Sequence, residues 1–450
     1  MNLKLSGFTC RETAYREPLD FFEKYSRLYY SSLLTGRGAP DNSDFSYIGL
    51  YPNIIIRYRD GVFEIERETG VEKFEGDFWN TFHDLYDTVN FSDFAYPVNL
   101  CGPVGYISYE ALHTIEKIES RTEKSYSMPV FEMVLYNRYI FFDNRQRRSY
   151  VIDLDFAEKG RISKKSGHQT EGQEVTGLEA ECTREGYIDK VKRIKEYILE
   201  GDVYEVCLTQ EFRADFHGDP FRLFRNLYTK NPAPYSAYLN FRDFTALCNS
   251  PELFIRCRDR RVETRPIKGT APRGKTFSED GLIREKLRTS EKEGAELAMI
   301  IDLLRNDIGK VCRTGTVKVL DSRRIEGYEN VYQLIGVVEG ELDEGMDYVD
   351  LLKAVFPGGS ITGCPKVRSM EIIEELESYK RNLYTGTIFI GNKKMFQSNI
   401  VIRTAVISGG KIFINSGGAV TIDSVPEDEY SEVLLKVSNI MKAIGYGGDF

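Results

Sequence analysis

Apolar positions along the chain fall into two periods. Tyr187, Val191, Ile194 and Ile198 recur at helical spacing, with Thr183 placed to cap the segment and Gly201 to close it. Helices are also predicted over 290–307, over 366–376 and from Pro426 onward. Runs that read as strands lie at 203–209, 235–241, 253–258, near Val317 and Val331, and at 387–390, 399–407 and 411–414. In the first half, Ile54-Ile55-Ile56-Arg57-Tyr58 and Tyr139-Ile140-Phe141-Phe142 read the same way. Strands and helices mix without regular βαβ alternation, so the expected class is α+β with extensive, largely antiparallel sheet.

The best candidate break is the polar stretch 157–181, which holds few large aliphatic residues. It divides an N-terminal region, 1–156, from a region 182–450 that carries most of the candidate chemistry. A net charge of −9 argues against a nucleic-acid partner, because a phosphate backbone needs a basic surface. No run approaches the roughly 20 apolar residues of a membrane span. The N-terminus turns polar too early for a secretory signal. The eight cysteines are scattered without a C-x-x-C pair, which fits neither a zinc site nor a disulfide framework. A reduced, cytoplasmic protein is expected.

Only four histidines occur, all in the first half, so acid–base or metal chemistry falls to carboxylates, lysine or tyrosine. On the last helix, Ser424 and Glu427 stand at capping-box spacing, and Glu429, Glu432 and Lys436 share a face. Glu293 and Glu296 share a face on the helix after Ser290, although Glu293 also suits a capping-box partner of Ser290. Each pair alone reads as a solvated face. Two such helices, if they meet, surround a hard cation such as magnesium with oxygen ligands.

The stretch 356–366, FPGGSITGCPK, runs into a helix and reads either as a plain turn or as an anion site that would include Ser360 and Thr362. The stretch 415–419, NSGGA, follows a strand and lets the backbone at Gly417 and Gly418 approach a carboxylate. Arg403, flanked by apolar residues, needs either a structural acid or a substrate carboxylate. In the shaped turn 265–274, Lys268 beside Ile267 reads either as a surface loop lysine, the usual case, or as a desolvated one with a lowered pKa and a neutral, nucleophilic amine.

In this order the segments resemble the chorismate-binding family, which includes large subunits of anthranilate and aminodeoxychorismate synthases together with isochorismate and salicylate synthases. The matching runs are Ser250-Pro251-Glu252, PIKGTAPRG at 266–274, Glu293-x-x-Glu296 followed by IIDLLRNDIGKV, FPGGSITGCPKVRSMEII at 356–373, IRTA at 402–405 and DSVPEDEYSEVLLK at 423–436. The resemblance covers most of 183–440 and is looser in the N-terminal region. It implies two large facing, mainly antiparallel sheets wrapped by helices. It implies Mg2+ held by Glu296 and Glu432, with Glu293 and Glu429 holding surrounding waters. The metal would bind the ring carboxylate of chorismate, assisted by Gly269, Thr270 and Lys436. Tyr384, Arg403 and the amides near Gly418 would hold the enolpyruvyl carboxylate.

Within the family, lysine at position 268 resembles the aminodeoxychorismate synthases, whereas anthranilate synthases typically carry alanine there. The implied reaction is attack of Lys268 on C2 of chorismate, loss of the C4 hydroxyl with Glu252 as proton donor, and addition of ammonia at C4. The product, 4-amino-4-deoxychorismate, leads to para-aminobenzoate and folate. Ammonia would come from a separate glutamine amidotransferase subunit. Three positions depart from the family pattern: Gln333 stands for a frequent histidine, Glu205 for a common glutamine and Ala419 for a glycine. An anthranilate synthase and a non-catalytic subunit sensing chorismate or tryptophan remain the alternatives.

Overall fold

Two long strands, Phe45–Arg59 and Phe131–Asp143, set the architecture of the computed structural model, which describes residues 5–38, 44–87, 91, 93–156, 160–162, 174–443 and 446. They pair antiparallel from Phe45↔Asp143 to Tyr58↔Phe131, with an irregularity between Pro52 and Ile54. Their halves belong to different sheets. The first half of 45–59 pairs with Ser31–Thr35, and its second half with Val62–Arg67. On the facing strand, one half pairs with Arg148–Phe156 and the other with Val104–Ile107.

One sheet runs from Ser31–Thr35 through Tyr235–Asn240, Thr245–Ser250, Thr404–Ser408 and Lys411–Val420 to Glu205–His217. The other runs from Val104–Ile107 through Thr387–Gly391, Met395–Asn399, Leu253–Arg258 and Arg261–Arg265 to Val331–Glu341. All of these pairs are antiparallel. Leu34, Tyr47 and Ala237 of the first sheet and Ile388, Ile390 and Ser398 of the second line one cavity, so the two sheets face each other. The expected architecture of two facing, mainly antiparallel sheets is therefore the one found.

Helices cover the outer faces. Arg184–Glu200 starts where the Thr183 side chain accepts the Gly186 amide and ends at Gly201, whose φ of 86° suits glycine. Its Tyr187, Val191 and Ile194 join Val433 and Val437 of helix Pro426–Ala443 over Leu208, Phe212 and Ile414 of the first sheet. Helix Glu291–Gly309, capped by Ser290, sets Leu297, Ile301 and Ile308 in the core with Leu334 and Val338 of the second. Each sheet thus carries one of the two acid-bearing helices. Among the described residues no helix is long and apolar enough to cross a membrane.

Three local expectations change. The run 399–405 is not one strand: one strand ends at Asn399, another begins at Thr404, and Arg403 between them has a positive φ of 50°. The turn expected at 265–274 is largely the strand Ile267–Pro272, interrupted at Gly269. The loop expected at 415–419 continues the strand Lys411–Val420. In the polar stretch, 157–159 and 163–173 lie outside the described residues, while Glu174–Ala180 forms a strand paired with Glu205–His217.

A buried ion pair braces the segments that matter most below. Arg381 and Glu377 are both almost fully buried, 2.7 Å apart. Arg381 also donates to the carbonyls of Ile361 and Cys207, at 2.8 and 2.7 Å, and Glu377 accepts the Thr209 amide. Removing one partner strands the other charge in the interior. Arg381→Leu is expected to lower the unfolding free energy by about 3–5 kcal/mol, read from urea denaturation.

Candidate active site

The strand Ile267–Pro272 pairs with Val331–Glu341, and its register shifts between Lys268 and Thr270. Gly269 occupies the shift with φ 77°, and a Cβ there would meet the Glu293 carboxylate at 2.8 Å. A bulge of this kind re-aims the neighbouring side chain. Lys268 reaches across to the other sheet, where its Nζ lies 2.9 Å from Oε1 of the fully buried Glu205. Gly363 holds the backbone of Glu205 in place: a Cβ at this glycine, with its φ of 135°, would lie 2.1 Å from the Glu205 carbonyl. Burial alone would lower the Lys268 pKa, as the sequence suggests. The Glu205 charge and hydrogen bond outweigh it, and the Lys268 pKa is raised. The resting lysine is an ammonium in an ion pair, not a free amine.

Glu252 sits where the chain passes from the first sheet, at Ser250, to the second, at Leu253. Burial pushes its carboxyl up to about 7, although Ser360, the Lys268 charge and the Ile267 amide act the other way. Ser360 Oγ donates to it at 2.7 Å. Thr362 is fully buried and spends its hydroxyl on the Gly358 carbonyl, at 3.0 Å, so it shapes the loop. Helix Lys366–Leu376 begins after Pro365 with no side-chain cap.

The acid pairs converge on the same region. Burial raises the pKa of Glu296, Lys268 lowers it, and the charges of Glu205 and Glu293 raise it further. Glu429 is raised by burial against a hydrogen bond from Ser424, with Glu432 adding to the rise. Glu432 is lowered overall: burial raises it, but Lys436, 2.7 Å away, outweighs that. Lys292 is within electrostatic range of Glu296, Glu429 and Glu432, which places the two helices around one space. The carboxylates stand apart rather than clustered. Among the described residues, the one trio of candidate ligand atoms all within 4.8 Å is His83, Asp347 and Asp350, where the two aspartates form a helix capping box. Four carboxylates on two helices that flank one space, two of them with pKa values raised partly by like charge, are the donor type a hard cation takes.

Among the described residues, the strand Lys411–Val420 has no partner beyond Ile414 on the edge opposite Glu205–His217. A Cβ on Gly417 would lie 2.3 Å from the Leu208 carbonyl, and one on Gly418 would lie 3.1 Å from the Glu429 carboxylate. Lys436 donates to the Gly417 carbonyl at 2.7 Å. Ser424 bonds Glu429 at 2.7 Å instead of forming a box with Glu427. Arg403 has no acid partner among the described residues, and burial lowers its pKa. Of the two alternatives for this arginine, the structural ion pair is not made. Tyr384 is buried, its phenol pKa raised by burial, and its neighbour Thr385 bonds the Val401 carbonyl beside the Arg403 corner. Thr270 lies opposite Gln333, whose Oε1 is buried without a hydrogen bond.

Sequence patterning missed two groups here. The Glu205 partnership joins strands of different sheets, and only its polar character within an apolar run hinted at it. The Arg381–Glu377 brace reads in sequence as an ordinary i,i+4 pair. One consequence concerns Glu252. In the fold it keeps its proton up to about pH 7, whereas the unfolded chain releases it near the usual 4.5. Its contribution to stability is full below 4.5 and lost as pH rises through about 7. Glu252→Gln is expected to gain on the parent by on the order of 2–3 kcal/mol between acidic and alkaline buffer, measured by urea unfolding.

The chain matches the family described as chorismate binding enzyme over residues 49–442. It is 36% identical over 446 residues to the aminodeoxychorismate synthase component 1 of Bacillus subtilis (strain 168), covering 95% of this chain and 94% of that protein. It is 39% identical over 368 residues to the anthranilate synthase component 1 of Aquifex aeolicus (strain VF5), covering 76% and 74%. The crystal structure of anthranilate synthase component I from Streptococcus pneumoniae TIGR4 superposes with a TM-score of 0.78 at 26% identity, over 90% of this chain and 93% of that one. With a match of that length and relatives of that similarity, the chain belongs to the chorismate-binding enzyme family.

Proposed function

We propose that the chain is the large subunit of an aminodeoxychorismate synthase, converting chorismate and ammonia to 4-amino-4-deoxychorismate for para-aminobenzoate and folate synthesis. The observation that carries this reading is Lys268, a primary amine within charge range of both Glu252 and Glu296. Amination at C4 with the enolpyruvyl group retained needs a nucleophile at C2 and an acid for the C4 hydroxyl. Lys268 and Glu252 supply that pair of functions. Arg403 and Tyr384 would hold the enolpyruvyl carboxylate, aided by the open strand edge at Gly417 and Gly418. Glu296 and Glu432, with Glu293 and Glu429 through water, would hold Mg2+. When bound, Mg2+ supplies positive charge for the ring carboxylate, alongside Gly269, Thr270 and Lys436.

In this mechanism the Lys268 amine adds to C2, the ring double bonds shift, and the C4 oxygen leaves as water with the Glu252 proton. Ammonia then adds at C4 and expels the lysine. A glutamine amidotransferase partner in the cytoplasm would supply the ammonia. A relative named anthranilate synthase component 1, 39% identical, supports the second reading, an anthranilate synthase. Lys268 is the residue that weighs against it.

With chorismate, Mg2+ and ammonium salt, the purified chain is expected to form aminodeoxychorismate, resolved by chromatography. Anthranilate as main product would overturn the proposal. Chelation is expected to abolish turnover, and Glu296→Gln or Glu432→Gln to raise the Mg2+ needed for half-activity by about tenfold or more. Because Glu252 must carry a proton, kcat should decline as pH rises through about 7.

A further inference from the structure

The amine that the proposed chemistry requires is present at rest as an ammonium, which has no lone pair to attack with. The proton must have somewhere to go, and Lys268 makes a single hydrogen bond among the described residues, to Glu205 Oε1 at 2.9 Å. The other oxygen, Glu205 Oε2, is buried without a hydrogen-bond partner. Glu205 itself is 0% exposed, so bulk water has no direct access to it. Its backbone is fixed by pairing with Cys364, by the Ser369 hydroxyl on its carbonyl at 3.1 Å, and by the close approach of Gly363. A buried carboxylate on a fixed backbone, with one oxygen on the lysine and the other without a hydrogen-bond partner, is set to receive a proton along a bond already made. Of the other carboxyls within charge range of Lys268, Glu252 is already engaged by the Ser360 hydroxyl and the Ile267 amide, and Glu296 makes no hydrogen bond to the lysine among the described residues.

We infer that Glu205 is the proton acceptor that converts Lys268 from an ammonium to a nucleophile, so that the inter-sheet pair acts as one catalytic unit. This rests on the reading of the chain as an aminodeoxychorismate synthase. As Nζ bonds to C2, one Nζ proton passes to Glu205. The displaced electron pairs move through the ring, forming C1=C6 and C4=C5, and leave with the C4 oxygen, which takes the Glu252 proton and departs as water. In the second half the nitrogen of ammonia bonds to C4, the double bonds return, and the C2–Nζ bond breaks. The freed amine takes its proton back from Glu205, and the new C4 ammonium returns one proton to Glu252. The sum is chorismate plus ammonia giving aminodeoxychorismate plus water, with both carboxyls restored.

Glu205→Gln keeps the shape and a hydrogen bond to Lys268 but can neither take the Nζ proton nor return it to the departing amine. It is expected to lower kcat by about 100-fold or more while the KM for chorismate moves less than about threefold. Glu205→Asp keeps the carboxylate one methylene further away, and its kcat should fall between parent and Gln variant. Thermal unfolding of both variants shows whether the fold is kept. Should the Gln variant not fold, Glu205→Asp carries the test, with a reduced kcat at unchanged KM expected and an unchanged kcat overturning the inference. A folded Gln variant with kcat near the parent's also overturns it, as does an Asp variant no faster than the Gln variant. These outcomes are separate from failure of the functional reading, in which the unaltered chain itself would make no aminodeoxychorismate.

Discussion

Lys268 and Glu205 meet where strands of the two facing sheets come together, and burial makes their pairing obligatory. A lysine ammonium or a glutamate carboxylate stranded there alone would cost several kcal/mol, so each side chain holds the other in a single geometry. The pair also joins the sheets at the site, since Glu205 belongs to the strand Glu205–His217 and Lys268 to the strand Ile267–Pro272. The remaining site geometry follows from what fixes those two strands. Gly363 and Cys364 pin one of them, the bulge at Gly269 aims the lysine from the other, and the Arg381 brace ties the Cys207 and Ile361 carbonyls together.

Crossing points between the sheets do the rest. The chain leaves the first sheet after Ser250 and enters the second at Leu253, which leaves Glu252 at one corner. It returns between Asn399 and Thr404, which leaves Arg403 at the other. The corners touch, because the Ile400 amide bonds the Glu252 carbonyl and the Ser250 hydroxyl bonds the Ile400 carbonyl. A buried acid and an unpaired arginine are costly in a strand interior, where every backbone direction is already taken. At a corner between two sheets they can face a ligand. Stability is given up at Glu252, whose ionised form the site disfavours, in return for a proton held near neutrality.

The four helices read from the sequence were legible because caps and spacing are local, whereas Phe78–Asp87, Pro220–Lys230, Phe277–Thr289 and Tyr348–Val355 went unread. Thr183 and Gly201 bound the helix they were expected to bound, and Lys366 and Leu376 are the ends of another. Strand existence was legible too, but sheet membership was not. The strand-like run through Ile400, Val401 and Ile402 continues past Arg403 into Thr404 and Ala405 without a turn signal, so the pattern could not reveal that the chain changes sheets there. Glycines at 269, 417 and 418 read as turn signals, yet they sit within strands: Gly269 has a positive φ of 77°, and a Cβ on Gly417 would lie 2.3 Å from the Leu208 carbonyl. Among site residues, the family resemblance picked out the two acid pairs, Lys268, Glu252 and Arg403 as separate positions. The protonation state of Lys268 was misjudged because its partner lies far away in sequence and on another sheet. A desolvated lysine alone loses its proton, whereas one facing a buried carboxylate keeps it.

The claim that the Lys268 pair does covalent chemistry is open to a direct measurement. The chain would be incubated with chorismate and Mg2+ in ammonia-free buffer, quenched, digested and mapped by mass spectrometry. The account predicts a modification on the peptide that carries Lys268, equal to chorismate less one water, which disappears when ammonium is added before the quench. Steady turnover to aminodeoxychorismate with no such adduct on Lys268, or with the adduct on another residue, would contradict it.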